Sequence, residues 1–177
     1  ARAESEVERQ EAVRNMYIQA MANLSSRVAS DPTVLSDPLA VTRALRDTLR
    51  EMAPRFTQLP GQWQAMQDAV MVQLNYASDF EGSLAVGQEY LQHLKTHGAP
   101  AAEVITTHTS LGRTLFQLNR VDESEAMRRA GLAWAPEVRD PRTTAIRLNL
   151  ASDLGLLLSN RGRRTEALQV LTQGEQT

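Results

Sequence analysis

A leucine–glycine phrase recurs in the C-terminal two-thirds of the chain, and it limits the folds that the chain can adopt. Clear copies begin at Leu111-Gly112 and Leu154-Gly155, and a degenerate copy begins near Val70. In each copy a second leucine, a polar turn and an acidic segment follow in the same order. The copies are about 40 residues apart, and a repeat of that length is typical of stacked helical hairpins. Such hairpins usually build binding surfaces rather than active sites.

Helical spacing of apolar residues extends this prediction to nearly the whole chain. Apolar residues recur three and four positions apart, and no segment alternates with a period of two between turn signals, so we expect helices and no sheet. Steps at Asp37-Pro38, Pro60-Gly61 and Asp140-Pro141 mark helix boundaries. We predict about seven or eight helices, over residues 1–29, 38–52, 62–77, 80–97, 101–118, 122–134, 141–160 and 164–174.

The apolar stripes of these helices predict the core. Side chains three and four residues apart lie on the same side of a helix, so each set should face a neighbouring helix. The residues expected to be buried are, in chain order, Val13, Met16, Tyr17, Ala20, Met21, Leu24 and Val28; Val41, Ala44, Leu45, Thr48, Leu49 and Met52; Trp63, Met66, Val70 and Leu74; Leu84, Tyr90, Leu91 and Leu94; Val104, Ile105, Leu111, Leu115 and Leu118; Ala126, Met127, Ala130 and Trp134; Ile146, Leu150, Leu154, Leu157 and Leu158; Ala167, Leu168 and Leu171.

The recurring phrase resembles the tetratricopeptide repeat (TPR), in which the glycine of a Leu-Gly pair lets the two helices of a hairpin approach closely. Gly112 and Gly155 match that glycine, Ala167 matches the small residue of the second helix, and Pro136 stands where the closing proline would be. The resemblance implies an all-α fold of stacked antiparallel helical hairpins in a right-handed superhelix. The departures from the pattern are Ser83 and Ser124 for the alanine, Met71 for the glycine and Arg128 for an apolar residue.

Three parts follow one another along the chain. Residues 1–29 are predicted to form a charged stalk helix, 30–61 an irregular helical hairpin and 62–177 the TPR-like repeats, within one domain. This order resembles the C-terminal sensor region of bacterial transmembrane Ser/Thr kinases. The resemblance implies a piece of a longer signalling protein on the periplasmic side of the inner membrane, anchored through a segment outside this chain. A cytoplasmic scaffold or transcription regulator is the alternative, and the stalk helix could also support a homodimer.

Composition and missing motifs exclude several kinds of chemistry. The chain has no cysteine, and its net charge of −2 with a pI of about 6.0 gives no overall attraction for nucleic acid. No phosphate-binding loop or nucleophile elbow occurs, so we predict neither an enzyme nor a cofactor in this segment. Arg161, Arg163 and Arg164 form the strongest basic cluster, which would either hold an acidic group or, more often, be solvated.

The three histidines are candidate functional groups. His93 and His97 are four residues apart and would share a helical face, as zinc ligands can, but the sequence places no third ligand. We therefore predict exposed histidines near a helix end, and no metal site. His108 lies one turn before Leu111, where packing is expected rather than catalysis.

A binding groove is predicted on the first helices of the repeats. Aligning the copies turns a mixed set of amides, single charges and rings toward the concave side, and this mixture suits a protein or peptide ligand. Phe116 has two alternatives, since it would either contact the ligand or pack within the protein. The groove residues are Asp68, Asn75, Tyr76, Thr109, Arg113, Phe116, Gln117, Asn149, Ser152 and Asn160.

Overall fold

The computed structural model describes residues 5–56, 59–134, 137–138 and 140–175, and this part of the chain is helical with no strand. The all-α prediction is therefore confirmed. Two short 3-10 helices, Pro32–Ser36 and Ala53–Arg55, flank the second α-helix. The eight α-helices of the described residues are α1 Glu6–Ser30, α2 Ala40–Met52, α3 Pro60–Tyr76, α4 Phe80–Thr96, α5 Ala101–Gln117, α6 Val121–Leu132, α7 Pro141–Asn160 and α8 Arg164–Glu175.

The chain divides into two compact units, Ala1–Val86 and Gly87–Thr177, and the boundary falls within α4. The first unit contains α1, α2 and α3, and the second contains α5 to α8. The predicted boundaries of α7 agree with those observed, and those of α3, α4, α5 and α8 agree within two residues. The predicted closing proline, Pro136, lies outside the described residues.

In the first unit α1 packs against both α2 and α3. A capping box starts the helix, because the Ser5 hydroxyl accepts from the Glu8 amide and the Glu8 carboxylate accepts from the Ser5 amide. The described part of the predicted stalk is thus held by two neighbours. Its buried residues lie four apart, and Met21, which was expected among them, is exposed. These buried residues are Ala12, Met16, Ala20 and Leu24.

Helix α2 runs antiparallel to α1 and begins later than predicted. Arg27 of α1 bonds to Asp47 at 3.2 Å, and Asn23, earlier in α1, bonds to Thr48, later in α2. The Asp37 carboxylate accepts from the Leu39 amide in a turn, so the helix begins only at Ala40. The expected burial of Val41 is wrong, because this side chain faces solvent. The other predicted side chains are buried, except for Met52, which is partly covered. The buried face carries Ala40, Thr42, Ala44, Leu45, Thr48 and Leu49.

The turns that end α3, α5 and α7 share one backbone geometry. Each contains a residue in the left-handed region, Ser78, Asn119 or Gly162, with φ of 59°, 58° and 78°. The next amide donates to the carbonyl of the repeat leucine in every case, as in a Schellman motif. These bonds, at 2.8–2.9 Å, run from Asp79 to Leu74, from Arg120 to Leu115 and from Arg163 to Leu158. The three leucines aligned by sequence therefore occupy equivalent places, and all three are buried.

In the second unit α5 packs on α6 and α7, α6 on α7, and α7 on α8. Helices α5 and α6 are antiparallel, since Gly112 approaches Arg128 while the earlier His108 approaches the later Gly131. A Cβ at Gly112 would lie 2.9 Å from Arg128 Cγ, and one at Gly155 would lie 3.1 Å from Leu171 Cγ. Both glycines of the recurring phrase thus mark close helix–helix approaches, as expected.

The predicted buried sides of α6 and α8 need correction. Ala126 and Ala130 are exposed, and α6 instead buries Ser124, Glu125, Arg128 and Gly131. Ser124 and Glu125 are covered because they are hydrogen-bonded within the protein, which an apolar pattern cannot show. In α8 Leu168 and Leu171 are exposed, while Ala167 and Val170 are buried.

Candidate binding surface

The sequence-predicted groove residues of the first unit form an exposed stripe on α3. Asp68, Val72, Asn75 and Tyr76 all face solvent, and Tyr76 is 82% exposed. The spacing of four residues and then three or four explains why they share one side of the helix. A tyrosine so open to water contributes little to the fold and is available for contact with a ligand.

In the second unit the predicted residues lie on two neighbouring helices. Helices α5 and α7 are in contact, and both are antiparallel to α6, so they run parallel to each other. Phe116 is 47% exposed, and Leu156, which sequence reasoning missed, is 64% exposed. Seven exposed residues of these two helices form a surface, the α5/α7 face. They are Arg113, Phe116 and Gln117 of α5 and Asn149, Ser152, Leu156 and Asn160 of α7.

Thr109 is the one predicted groove residue that is buried. It is 9% exposed, and its hydroxyl donates to the Ile105 carbonyl at 2.9 Å. The alignment of repeats placed Thr109 one turn before Arg113 on the same side of α5. The packing of α5 against both α6 and α7 covers the short side chain of Thr109. The longer side chain of Arg113 extends past these neighbouring helices into solvent.

An ion pair joins the two helices of the α5/α7 face. Arg113 donates from Nε at 2.9 Å and from Nη2 at 2.8 Å to the same carboxylate oxygen, Oδ2 of Asp153. Phe116 and Leu156 each lie one turn beyond this pair on their own helix, so the apolar side chains follow the charges in the same direction. Sequence reasoning found Arg113 but missed Asp153, because no local pattern connects residues 40 positions apart.

Arg128 of α6 lies beneath this pair. Its side chain packs against Gly112 and is 5% exposed. One nitrogen donates to the Ser124 hydroxyl at 2.5 Å, and Ser124 in turn donates to the Gly112 carbonyl at 2.6 Å. The buried Nε finds no acceptor within the described residues. Burial lowers the pKa of the guanidinium, an effect that nearby Asp153 opposes and Arg113 reinforces.

The basic cluster at the turn before α8 is paired inside the protein. Glu125, buried on α6, accepts from Arg129 at 2.9 Å, from Arg161 at 3.1 Å and from Arg163 at 2.6 Å. Arg163 also forms a bidentate pair with Glu166. Burial opposes the ionisation of Glu125, but the hydrogen bonds from its arginines outweigh it and lower the pKa of the carboxyl. Arg161 and Arg163 are thus paired within the protein, while more than one-third of each side chain stays exposed.

A second concave feature lies within the first unit. A cavity of about 370 Å³ opens between α1, the 3-10 helix after α2 and the start of α3. Its walls combine carboxylates, amides, one guanidinium and three apolar side chains. Sequence reasoning missed it because several separate elements form the walls. The lining residues are Glu8, Glu11, Ala12, Asn15, Gln19, Met52, Arg55, Phe56 and Gln62.

The histidines fall into two environments. His93 and His97 stack with ring centroids 4.1 Å apart at the end of α4, and His97 Nδ1 donates to the His93 carbonyl at 2.8 Å. His108 is buried in α5 as expected. Its Nδ1 lies 3.2 Å from the Met127 carbonyl, which fixes the proton on Nδ1 because a carbonyl can only accept. Burial and then the charge of Lys95 lower the pKa of His108 to about 4.

Metal and membrane sites were sought across the described residues. No group of three or more His, Cys, Asp or Glu side chains there could hold a metal ion. No described helix combines the length and the hydropathy that crossing a membrane requires. Comparisons with known protein families, curated proteins and solved structures gave no significant match to this chain.

Proposed function

We propose that this chain is a non-enzymatic, TPR-like module that binds a protein or peptide segment on the α5/α7 face. The observation that carries the proposal is the exposure of Phe116 and Leu156 beside a row of amides and an arginine. Aromatic residues and arginine are enriched at the energetic centres of protein interfaces. Amide side chains around them can bond to the backbone of an extended segment.

The TPR-like arrangement is supported by three features of the helices. The same left-handed turn follows Leu74, Leu115 and Leu158. Gly112 and Gly155 stand where side chains of the partner helix approach closely. In the second unit α5 contacts both its partner helix α6 and the next first helix α7, and α7 contacts its partner α8, as stacked hairpins require.

The proposed setting is the sensor part of a membrane-anchored bacterial signalling protein of the Ser/Thr kinase type. It is supported by the resemblance in the order of parts, with a charged helix before divergent repeats. The coding sequence that precedes Ala1 tests it. An apolar stretch of about 20 residues there agrees with the proposal, whereas a DNA-binding domain at that place contradicts it.

The binding face is tested with a matched set of leucine and phenylalanine variants. Phe116→Ala and Leu156→Ala should each weaken the capture of selected peptides. The melting temperature should be nearly unchanged for Leu156→Ala, because Leu156 is largely in water, and only modestly lower for Phe116→Ala, because Phe116 is half-buried. Leu168→Ala is the control, since Leu168 is as exposed as Leu156 but lies on α8. The peptides come from a displayed random library selected on the whole chain. Equal binding by all three variants would show that peptides dock elsewhere.

A further inference from the structure

Three charged side chains meet at the α5/α7 face, and their charges do not balance. Arg113 is exposed, Asp153 is partly covered and Arg128 is buried beneath them. Both bonds from Arg113 end on Oδ2 of Asp153, and the described residues provide no bond to Oδ1. Among the described residues Asp153 bonds to Arg113 alone, although its charge also acts on the nearby Arg128.

Arg128 is the least satisfied member of this group. A buried cation without a carboxylate partner is costly, and the described residues give this one only a neutral hydroxyl. Leu171 occupies the equivalent place in the next hairpin, because each packs on the glycine of the recurring phrase. Packing alone therefore accepts a leucine here, and the charge of Arg128 calls for another explanation.

We infer that the α5/α7 face takes an acidic protein segment, whose carboxylate replaces Asp153 on Arg113 while Asp153 turns to pair with Arg128. The exchange leaves two guanidinium groups with two carboxylates. The ligand carboxylate would be flanked by an aromatic or aliphatic side chain, since Phe116 and Leu156 lie one turn beyond the ion pair. This inference rests on the proposed function, because it names the chemistry of the partner at the same face.

Charge complementarity selects this occupant. Arg113 presents a planar pair of donors on an exposed side chain, which suits a carboxylate better than a neutral group. A basic segment would have to approach two like charges, and Asp153 is already engaged by one of them. The remaining groups of the face are neutral, so the arginines set its electrostatic preference.

The experiment uses the whole chain and peptides selected on it from a displayed random library. A selected peptide is then compared with its amide version, in which every Asp and Glu becomes Asn or Gln, by fluorescence anisotropy. We expect acidic residues next to an apolar residue in the selected set. The amide version should bind about tenfold more weakly, since a charged bidentate bond is lost.

Variants of the three charges test the exchange. Arg113→Gln should weaken binding of the acidic peptide, because the ligand carboxylate loses its partner. Arg128→Leu should also weaken it, because Asp153 then has no second guanidinium to pair with. In an Asp153→Asn background this effect of Arg128→Leu should largely disappear, since the pair that it removes can no longer form. Arg164→Gln is the control, because it changes the net charge as Arg113→Gln does at an exposed site on α8. An equal loss of affinity from Arg128→Leu in both backgrounds would refute the exchange. Parent-like binding by Arg113→Gln would refute it as well, and this outcome does not depend on the folding of the Arg128→Leu variant.

The outcomes separate this inference from the proposed function. The selected peptides could show no enrichment in acidic residues and still fail to bind the Phe116→Ala variant. That result would overturn the inference and leave the proposed function standing. Acidic peptides that bind Phe116→Ala and Leu156→Ala as tightly as the parent would overturn both. A single-stranded oligonucleotide that outcompetes the acidic peptides through Arg113 would also refute the inference.

Discussion

Stability of the second unit should depend on pH through His108. The ring is 2% exposed, its Nδ1 proton bonds to the Met127 carbonyl, and its Nε2 is buried without a partner within the described residues. A second proton would place an unpaired charge in the core. The pKa of His108 is therefore lowered from 6.5 to about 4, so the unfolded chain takes up the proton first as the pH falls.

The size of the effect follows from the two pKa values. One pKa unit corresponds to about 1.4 kcal/mol, so full protonation removes about 3 kcal/mol of stability. The loss runs between pH 6.5 and pH 4. Between pH 7 and pH 5 the linkage relation gives a decrease of about 2 kcal/mol in the free energy of unfolding. The pKa of Glu125 lies below its ordinary value, so its contribution is lost only at lower pH.

Urea unfolding at a series of pH values measures this decrease. In His108→Asn the amide nitrogen can keep a bond to Met127 while nothing titrates, so the slope between pH 7 and pH 5 should nearly disappear. Burial and then His97 also lower the pKa of His93, so a His93→Gln/His97→Gln variant is the control and should keep most of the slope. An unchanged slope in His108→Asn would refute the assignment of the buried neutral ring.

Three further changes test the packing, the ion pairs and the turns. Gly131→Ala should cost about 1–3 kcal/mol, because its Cβ would lie 2.7 Å from His108 Cβ. Gly155→Ala should be nearly neutral by thermal melting, because its Cβ would lie 3.1 Å from Cγ of Leu171, an exposed side chain with room to shift, and alanine favours the helix. Glu125→Gln should cost about 1 kcal/mol at low salt and less at high salt, since its arginine partners are more than one-third exposed; salt-independent loss would contradict this. Ser78→Gly should raise the free energy of unfolding by roughly 1 kcal/mol, because serine is strained at a φ of 59°, and a decrease would mean that the turn is misassigned.

The parts of the fold that sequence predicts are those set by local periodicity. The buried leucines at 74, 115 and 158 follow from spacing within one helix and from the repeat, and both signals are local. Burial of Glu125 and Arg128 could not be predicted in this way. A charged residue is covered only when a distant partner reaches it, and Arg163 lies 38 residues from Glu125.

On the α5/α7 face, too, local periodicity predicted some residues, and others depend on how the helices pack. Phe116 and Asn160 were placed on an exposed face by the alignment of repeats, and both are exposed. Leu156 was assigned neither to the predicted core of α7 nor to the groove, because only the packing of α7 shows which side of a leucine-rich helix is left open. Thr109 was predicted to be exposed because periodicity gives the side of the helix on which a side chain lies. It does not show how far neighbouring helices cover that side chain.

The Glu125 network also bears on how the second unit unfolds. It ties α6 of one hairpin to the turn that opens α8 of the next, so ion pairs supplement apolar contact at the junction. Arrays of hairpins melt as a single cooperative unit only while the coupling between neighbours exceeds the differences in their own stabilities. Screening by salt weakens this particular coupling. Amide hydrogen exchange in concentrated salt should therefore reveal α7 and α8 opening as a separate folding unit before α5 and α6 lose protection.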